Sequence, residues 1–382
     1  MVGADVARIW GTDAVRSWNA QAWMRNSSRV LALLLAAGVA MYTLRGTPPT
    51  SVAELPALGA KIGETSVSGI SSGAYMAGQF QMAHAKIVKG AAIIAGGPYG
   101  CSESVFADAM PGPGTAFLNL SKAMNGCMLN LLGVWGTADP VDLAGKAKRR
   151  AERDEIDPIA EVAADRVYLF SGHSDVTVVP AIVAAAAKFY AVLGVPASNI
   201  KHVTHLPSGH AFVTEDKGGA CEYTGAPYVV DCDYDQAGEL LKHIYGPLNP
   251  HSSAPGGDFE VFDQRPFTAG FMPNGMADHG VVYIPKACRE NAGCRIHVAY
   301  HGCAQTRAQV GDAFIKDSGF ARWADTNSLI VLFPQTAIAA FNPQGCWDWW
   351  GYTTRDYLAR NAPQIVAVHR MLERLSLRQS GV

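Results

Sequence analysis

Charge is scarce in this chain. Only 17% of its 382 residues are Asp, Glu, Lys or Arg, and the net charge is −2. No basic stripe is present to neutralise phosphates, which excludes nucleic acid or an acidic membrane surface recognised through charge. Metal-binding spacing is also missing: the eight cysteines form neither a CxxC pair nor a Cys/His cluster of the zinc type. No internal repeat divides the sequence. The apolar run near the N-terminus, "VLALLLAAGVAMY" from Val30 to Tyr42, has 13 residues, whereas a spanning helix takes about 20. No metal, no nucleic-acid partner and no stable membrane partner are therefore expected.

What that run does resemble is an export signal. Arg25 and Arg29 precede it, and the small residues Gly38, Val39 and Ala40 lie near its end. Residues 1–40 read as a signal peptide cleaved after Ala40, with Met24 as a candidate true start; an uncleaved N-terminal anchor is the competing reading. Residues 41–58 read as a tether, and the protein as secreted or periplasmic. An even number of cysteines behind a signal favours disulfides. Proximity in sequence suggests Cys101–Cys127, Cys221–Cys232 and Cys288–Cys294, which leaves Cys303 with Cys346.

Short apolar strands alternate with helical stretches through the rest, the pattern of an α/β sheet with crossover helices. "TSVSG" leads into Ser71 as a strand, and "AYMAGQFQMAHA" follows as a helix. Strands are expected at 90–96, 166–172, 200–206, 280–285, 295–302 and 328–335. Helices are expected over "VPAIVAAAAKFYAVLG", "DQAGELLKHIYG" and "QIVAVHRMLERL". Residues 98–160, with the turns of "MPGPG" and the charged run "KAKRRAERDE", read as an inserted helical cap with a solvated face. "PLNPHSSAPGGD" (247–258) reads as a linker, and nothing beyond the last helix reads as a second binding module.

The chemistry begins at "VSGISSGAY" (67–75). Gly69-Ile70-Ser71-Ser72-Gly73 fits G-x-S-x-G, a serine on a sharp strand-to-helix turn. The middle serine, Ser71, is the candidate nucleophile, and Ser72 offers its backbone N–H to an oxyanion. A serine hydroxyl needs a base to take its proton and a third group to orient that base. Asp175 lies just past the strand "RVYLF", and His210 lies on a Ser-Gly turn past the next strand. Asp139, Asp142 and Asp165 are less well placed as acids; His173, His202 and His205 compete for the base. An oxyanion loop beginning His-Gly usually precedes the nucleophile. Here "YHGCAQ" (300–305) comes after His210. If the strands from 259 onward fill the places of the usual first strands, the domain is circularly permuted, and Cys303 gives the second oxyanion N–H.

Taken in order, "SGISSGAYMA", "GHSDVTV", "SGHAF", "YHGCAQ" and "CWDWW" resemble the single-domain poly(3-hydroxybutyrate) depolymerases, whose α/β-hydrolase domain is circularly permuted. The resemblance spans about residues 60–375. It implies one catalytic domain over 59–382, with Ser71, Asp175 and His210 as the triad and Ser72 and Cys303 as oxyanion donors. It also implies that one of Trp347, Trp349 and Trp350 lines the cleft. The expected activity is that of a monomeric, cofactor-free serine esterase acting on aliphatic polyester. Two rival readings are a feruloyl or acetyl esterase acting on plant polysaccharide, and a non-catalytic secreted binding protein on a hydrolase scaffold. The complete Ser/Asp/His set weighs against the second.

Overall fold

The structure, a computed structural model, describes residues 52–104, 113–133, 138–271 and 273–378. The expected signal peptide (1–40), and with it Met24, lies outside the described residues. So does most of the expected tether. The end of that tether packs onto the main body instead: Leu55 and Leu58 are buried. Leu58 donates its N–H to Leu375 O, and Asp263 donates to Ala53 O. Two leucines in six residues bury too much apolar surface for a free tether, so the folded unit begins at about residue 53.

Eight strands form one sheet. β1 (Thr65–Ile70), β2 (Val88–Ile94), β3 (Arg166–Phe170) and β4 (Ile200–Val203) come first. β8 (Asp258–Asp263), β9 (His279–Ile284), β10 (Arg295–Tyr300) and β11 (Leu329–Phe333) come last. Their order across the sheet is β4-β3-β2-β1-β10-β11-β9-β8. Pairing is parallel from β4 to β11 and antiparallel at β11/β9 and β9/β8. The chain starts at the centre, runs out to β4, crosses to the far edge and returns to the centre. This is the α/β-hydrolase sheet with its strands circularly permuted, so the expected fold is the one found.

The expected linker carries the chain from α6 (Gln236–Tyr245) to the edge strand β8, whose Asp258 begins at the linker's last expected residue. Alternating "DFEVFD" suits an edge strand that is only half buried. The central strands β1 and β11 are buried along their whole length; β11 is a continuous apolar run, whereas β1 buries Thr65, Ser66 and Ser68 among its apolar residues.

Helices cover both faces. α1 (Ser72–Ala83), α3 (Pro140–Glu152), α5 (Pro180–Val192) and α8 (Pro363–Ser376) carry side chains of one core cluster, and α6 and α7 (Phe320–Thr326) of the other. The described part of 98–160 is helical, with α2 (Pro113–Lys122), α3 and α4 (Ile159–Ala164). Leu143, Ala144 and Ala147 are the buried side of α3. Its charges form surface ion pairs, among them Arg150 with Glu103 and Glu155. A small parallel sheet, β5 (Phe212–Thr214), β7 (Val229–Asp231) and β6 (Gly219–Ala220), lies beyond β4. The four disulfides are Cys101–Cys127, Cys221–Cys232, Cys288–Cys294 and Cys303–Cys346.

Candidate active site

Ser71 stands between β1 and α1 with φ 58° and ψ −121°, a left-handed conformation rare for a residue with a side chain. The turn is possible because its flanks are glycines. A Cβ at Gly69 would lie 2.1 Å from Gly73 O, and one at Gly73 would lie 2.4 Å from both Tyr300 O and His301 O. The elbow is thereby pressed against the end of β10. Ser71 is nine-tenths buried, and its backbone N–H is held by Ile94 O at 2.9 Å.

His210 and Asp175 meet. His210 Nδ1 lies 2.8 Å from Asp175 Oδ2, so Nδ1–H donates to the carboxylate and Nε2 is left for another group. Asp175 Oδ1 accepts the N–H groups of Thr177 and Val178 at 2.8 and 2.9 Å. The carboxylate is buried yet fully bonded, which keeps its geometry fixed. The loop carrying His210 is braced by the small sheet: His210 donates its backbone N–H to Thr224 Oγ1 at 2.8 Å. Gly209 donates to Cys221 O, inside the Cys221–Cys232 ring. Among the described residues no hydrogen bond joins Ser71 Oγ to His210, a common state for such a pair before substrate binds.

The competitors lie elsewhere. His173 and His205 are exposed, and His205 falls past the end of β4, not within a strand, because β4 stops at Val203. His202 is on β4, 3.3 Å from Ser171 Oγ, with its pKa lowered by burial. Asp139 caps α3 and Asp142 pairs with Lys146. Asp165 is buried beside Gln81, and burial pushes its carboxyl up to about 7.

Permutation places "YHGC" beside the elbow. β10 pairs with β1 in parallel, Tyr300 opposite Gly69, and a Cβ at Gly302 would sit 3.4 Å from Ser71 Cβ. In this loop Gly302 donates its N–H to Gln305 Oε1 at 2.7 Å, and Ala304 donates to Gln344 O at 2.6 Å. The Cys303 N–H between them has no acceptor among the described residues, and neither has that of Ser72 at the head of α1. Two free N–H groups and a helix N-terminus form a site suited to a developing oxyanion.

Two supports of this loop are not legible as such in the sequence. Gln305, buried, also donates through Nε2 to Pro227 O and Tyr228 O at 3.1 Å, joining the loop to the small sheet that braces His210. Its place in "YHGCAQ" is the only signal for it. His301 is buried, with Nδ1 2.8 Å from Gly302 O and its pKa lowered by burial to about 4.

The tryptophans are more enclosed than a cleft lining suggests. Trp347 is 0% exposed, Trp349 5% and Trp350 6%. Trp347 packs edge-on against Tyr300 and donates its backbone N–H to Ser72 Oγ at 3.3 Å. Trp349 stacks on Tyr75 of α1 with ring centroids 4.0 Å apart. Asp348 between them is buried, and burial raises its pKa; it accepts the N–H groups of Gly351, Tyr352 and Thr353 and so shapes the turn.

No family model matches the chain. It is 37% identical over 351 residues to a poly(3-hydroxybutyrate) depolymerase of Delftia acidovorans, an alignment spanning 91% of this chain and 66% of that protein. It is 32% identical over 349 residues to a polyhydroxybutyrate depolymerase of Talaromyces funiculosus, across 86% of this chain and 93% of the relative. Among solved structures, a PHB depolymerase with a serine-to-alanine substitution, complexed with an R3HB trimer, superposes with a TM-score of 0.73 at 28% identity. The PHB depolymerase from Penicillium funiculosum gives 0.72 at 28%. Both cover 85% of this chain and all of theirs. With that identity carried over nearly the whole of the Talaromyces enzyme, the chain belongs to the poly(3-hydroxybutyrate) depolymerase family.

Proposed function

We propose that this protein is an exported carboxylic ester hydrolase that cleaves poly(3-hydroxybutyrate), or a similar short-chain aliphatic polyester, through an acyl-enzyme. The observation that carries the reading is the 2.8 Å contact between His210 Nδ1 and Asp175 Oδ2, in the same fold as an elbow serine. Ser71 Oγ attacks the ester carbonyl while His210 Nε2 takes its proton. The tetrahedral oxyanion is held by the N–H groups of Ser72 and Cys303. Collapse breaks the C–O bond to the alcohol, which receives the proton from His210 and leaves. Water, deprotonated by His210, then attacks the acyl-Ser71 ester and frees the acid. Asp175 holds the imidazole tautomer throughout and stabilises its cationic form.

Family membership supports the polyester, and an R3HB trimer is the ligand of one of the similar structures. Export fits the four disulfides and the signal-like residues 1–40. No helix among the described residues is long and apolar enough to cross a membrane. The test is to compare clearing of polyhydroxybutyrate granules with turnover of a feruloyl ester by the purified protein, with Ser71→Ala as control. Granule clearing that the variant loses by roughly 10⁴-fold or more is the expected result. Feruloyl turnover without clearing would overturn the polyester reading, and clearing retained by Ser71→Ala would overturn the mechanism.

A further inference from the structure

Away from the triad, three side chains of metal-ligating type converge from separate elements. Glu215 follows β5, Asp235 caps α6, and His251 lies in the loop between α6 and β8. One donor atom from each lies within 4.8 Å of the others. We propose that Glu215, Asp235 and His251 bind a divalent ion of the zinc class, which clamps the 247–258 loop to α6 and to the small sheet.

The argument rests on what holds each of the three. His251 Nδ1 is 2.8 Å from Ser252 O. A carbonyl only accepts, so Nδ1 carries a proton, and Nε2 is the nitrogen that faces Glu215 Oε2, 3.8 Å away. Two acceptors turned toward one another repel unless a proton or a cation sits between them. Asp235 is fixed at both oxygens, Oδ1 by the N–H of Gly238 at 2.9 Å and Oδ2 by the Trp323 indole N–H at 2.8 Å. Arg322 orients Glu215 through Oε2 at 2.9 Å. That guanidinium occupies one lone pair and leaves the rest of the carboxylate for a cation. Every ligand thus has an outer partner that sets its direction, as is general for metal-ligating His and carboxylate groups.

One imidazole and two carboxylates, with water in the fourth position, suit zinc; calcium prefers six or more oxygens. Zinc bonds of about 2.0–2.2 Å require the three atoms to draw closer, and the half-exposed Glu215 side chain has the freedom to do so. The sequence hides this group because its members come from three elements with no short spacing between them.

Tag-free full-length protein, equilibrated with zinc and desalted, would be assayed for bound metal and for Tm in zinc, in calcium and in chelator. The expected result is about one zinc per chain and a Tm that rises with zinc concentration but not with calcium. His251→Ala and Glu215→Gln should each weaken zinc binding by about 10-fold or more while leaving turnover of a soluble ester unchanged. Chains that bind no zinc, or variants that bind it as wild type does, would overturn the site. An equal response to calcium would overturn the zinc assignment.

Discussion

His297 of β10 bonds Ser66 of β1 through Nδ1 at 2.6 Å, directly opposite it in the parallel register. Its other nitrogen reaches Ser68 at 2.8 Å. Tyr245 donates to Ser66 as well. All three strand residues are fully buried. A sheet interior normally carries apolar side chains, so this polar cluster specifies one register and no other. The register matters because Ser71 follows one strand and Cys303 the other.

Replacing His297 by Leu should orphan the buried Ser68 hydroxyl, at about 1–3 kcal/mol, and leave Ser66 with Tyr245 as its remaining partner. Urea unfolding would show it as a lower midpoint. The triple change Ser66→Ala, Ser68→Ala and His297→Leu should recover much of that stability, since polar partners removed together leave little unpaired. A single variant as stable as wild type would refute the pinning role.

Gly73→Ala should disable the enzyme while leaving its secondary structure intact. The new Cβ meets two backbone oxygens at 2.4 Å, so the elbow and the end of β10 must part. A displacement near 1 Å at reacting groups costs on the order of 10²-fold. Gly145→Ala, inside α3 with only the flexible Arg149 nearby, is the control and should stabilise by about 0.5–1 kcal/mol. Measuring kcat/KM on a short-chain ester and circular dichroism for both variants decides it.

A chain ending near Gly257 lacks β8 to β11 and should show no esterase activity on any ester. β1 would lose its β10 partner and the site would lose the Cys303 N–H. An active, folded fragment on a soluble short-chain ester would mean that the last third is a separate domain.

Stability should fall as pH drops below about 6.5. Burial holds His297 and His84 down at about 3, and His301 at about 4, against 6.5 when unfolded. In this window the unfolded chain binds protons at these rings that the native chain refuses. Asp165, raised to about 7, works in the opposite sense, as does buried Asp348. The histidines outnumber them, because His202, His243 and His369 are also lowered by burial. Each net proton contributes a slope of about 1.4 kcal/mol per pH unit. Denaturant unfolding between about pH 6 and pH 4.5 should show net proton uptake; a flat or rising stability toward acid would contradict it.

The proposed triad could be read from the sequence because each member sits near a strand end, where local pattern is informative. Ser71 lies in a glycine-flanked turn, and Asp175 and His210 follow β3 and β4 within a few residues. The permuted sheet could be inferred from the position of "YHGC", because an oxyanion loop has to adjoin its nucleophile. The small sheet β5-β7-β6 escaped notice because its strands have only two or three residues. The packed segment 53–58 looked like a tether because its burial comes from partners hundreds of residues away, at Leu375 and Asp263. Gln305 and His301 were hidden for a related reason: their roles depend on backbone groups that a side-chain pattern does not display.

The permuted strand order also bears on how the chain is made. β1 finds β2 soon after synthesis, but its other neighbour contributes His297 only 231 residues after Ser66. At roughly 5–20 residues per second, the central strand waits about 10–50 s as an open edge. During that time its unpaired N–H and C=O groups are a template for any passing strand. Ser71 is synthesised with β1, yet the "YHGC" loop that adjoins it emerges only after β10. A nascent chain therefore carries Ser71 before the loop that the proposed mechanism requires, and hydrolysis has to wait until β10 and the segment after it have been made.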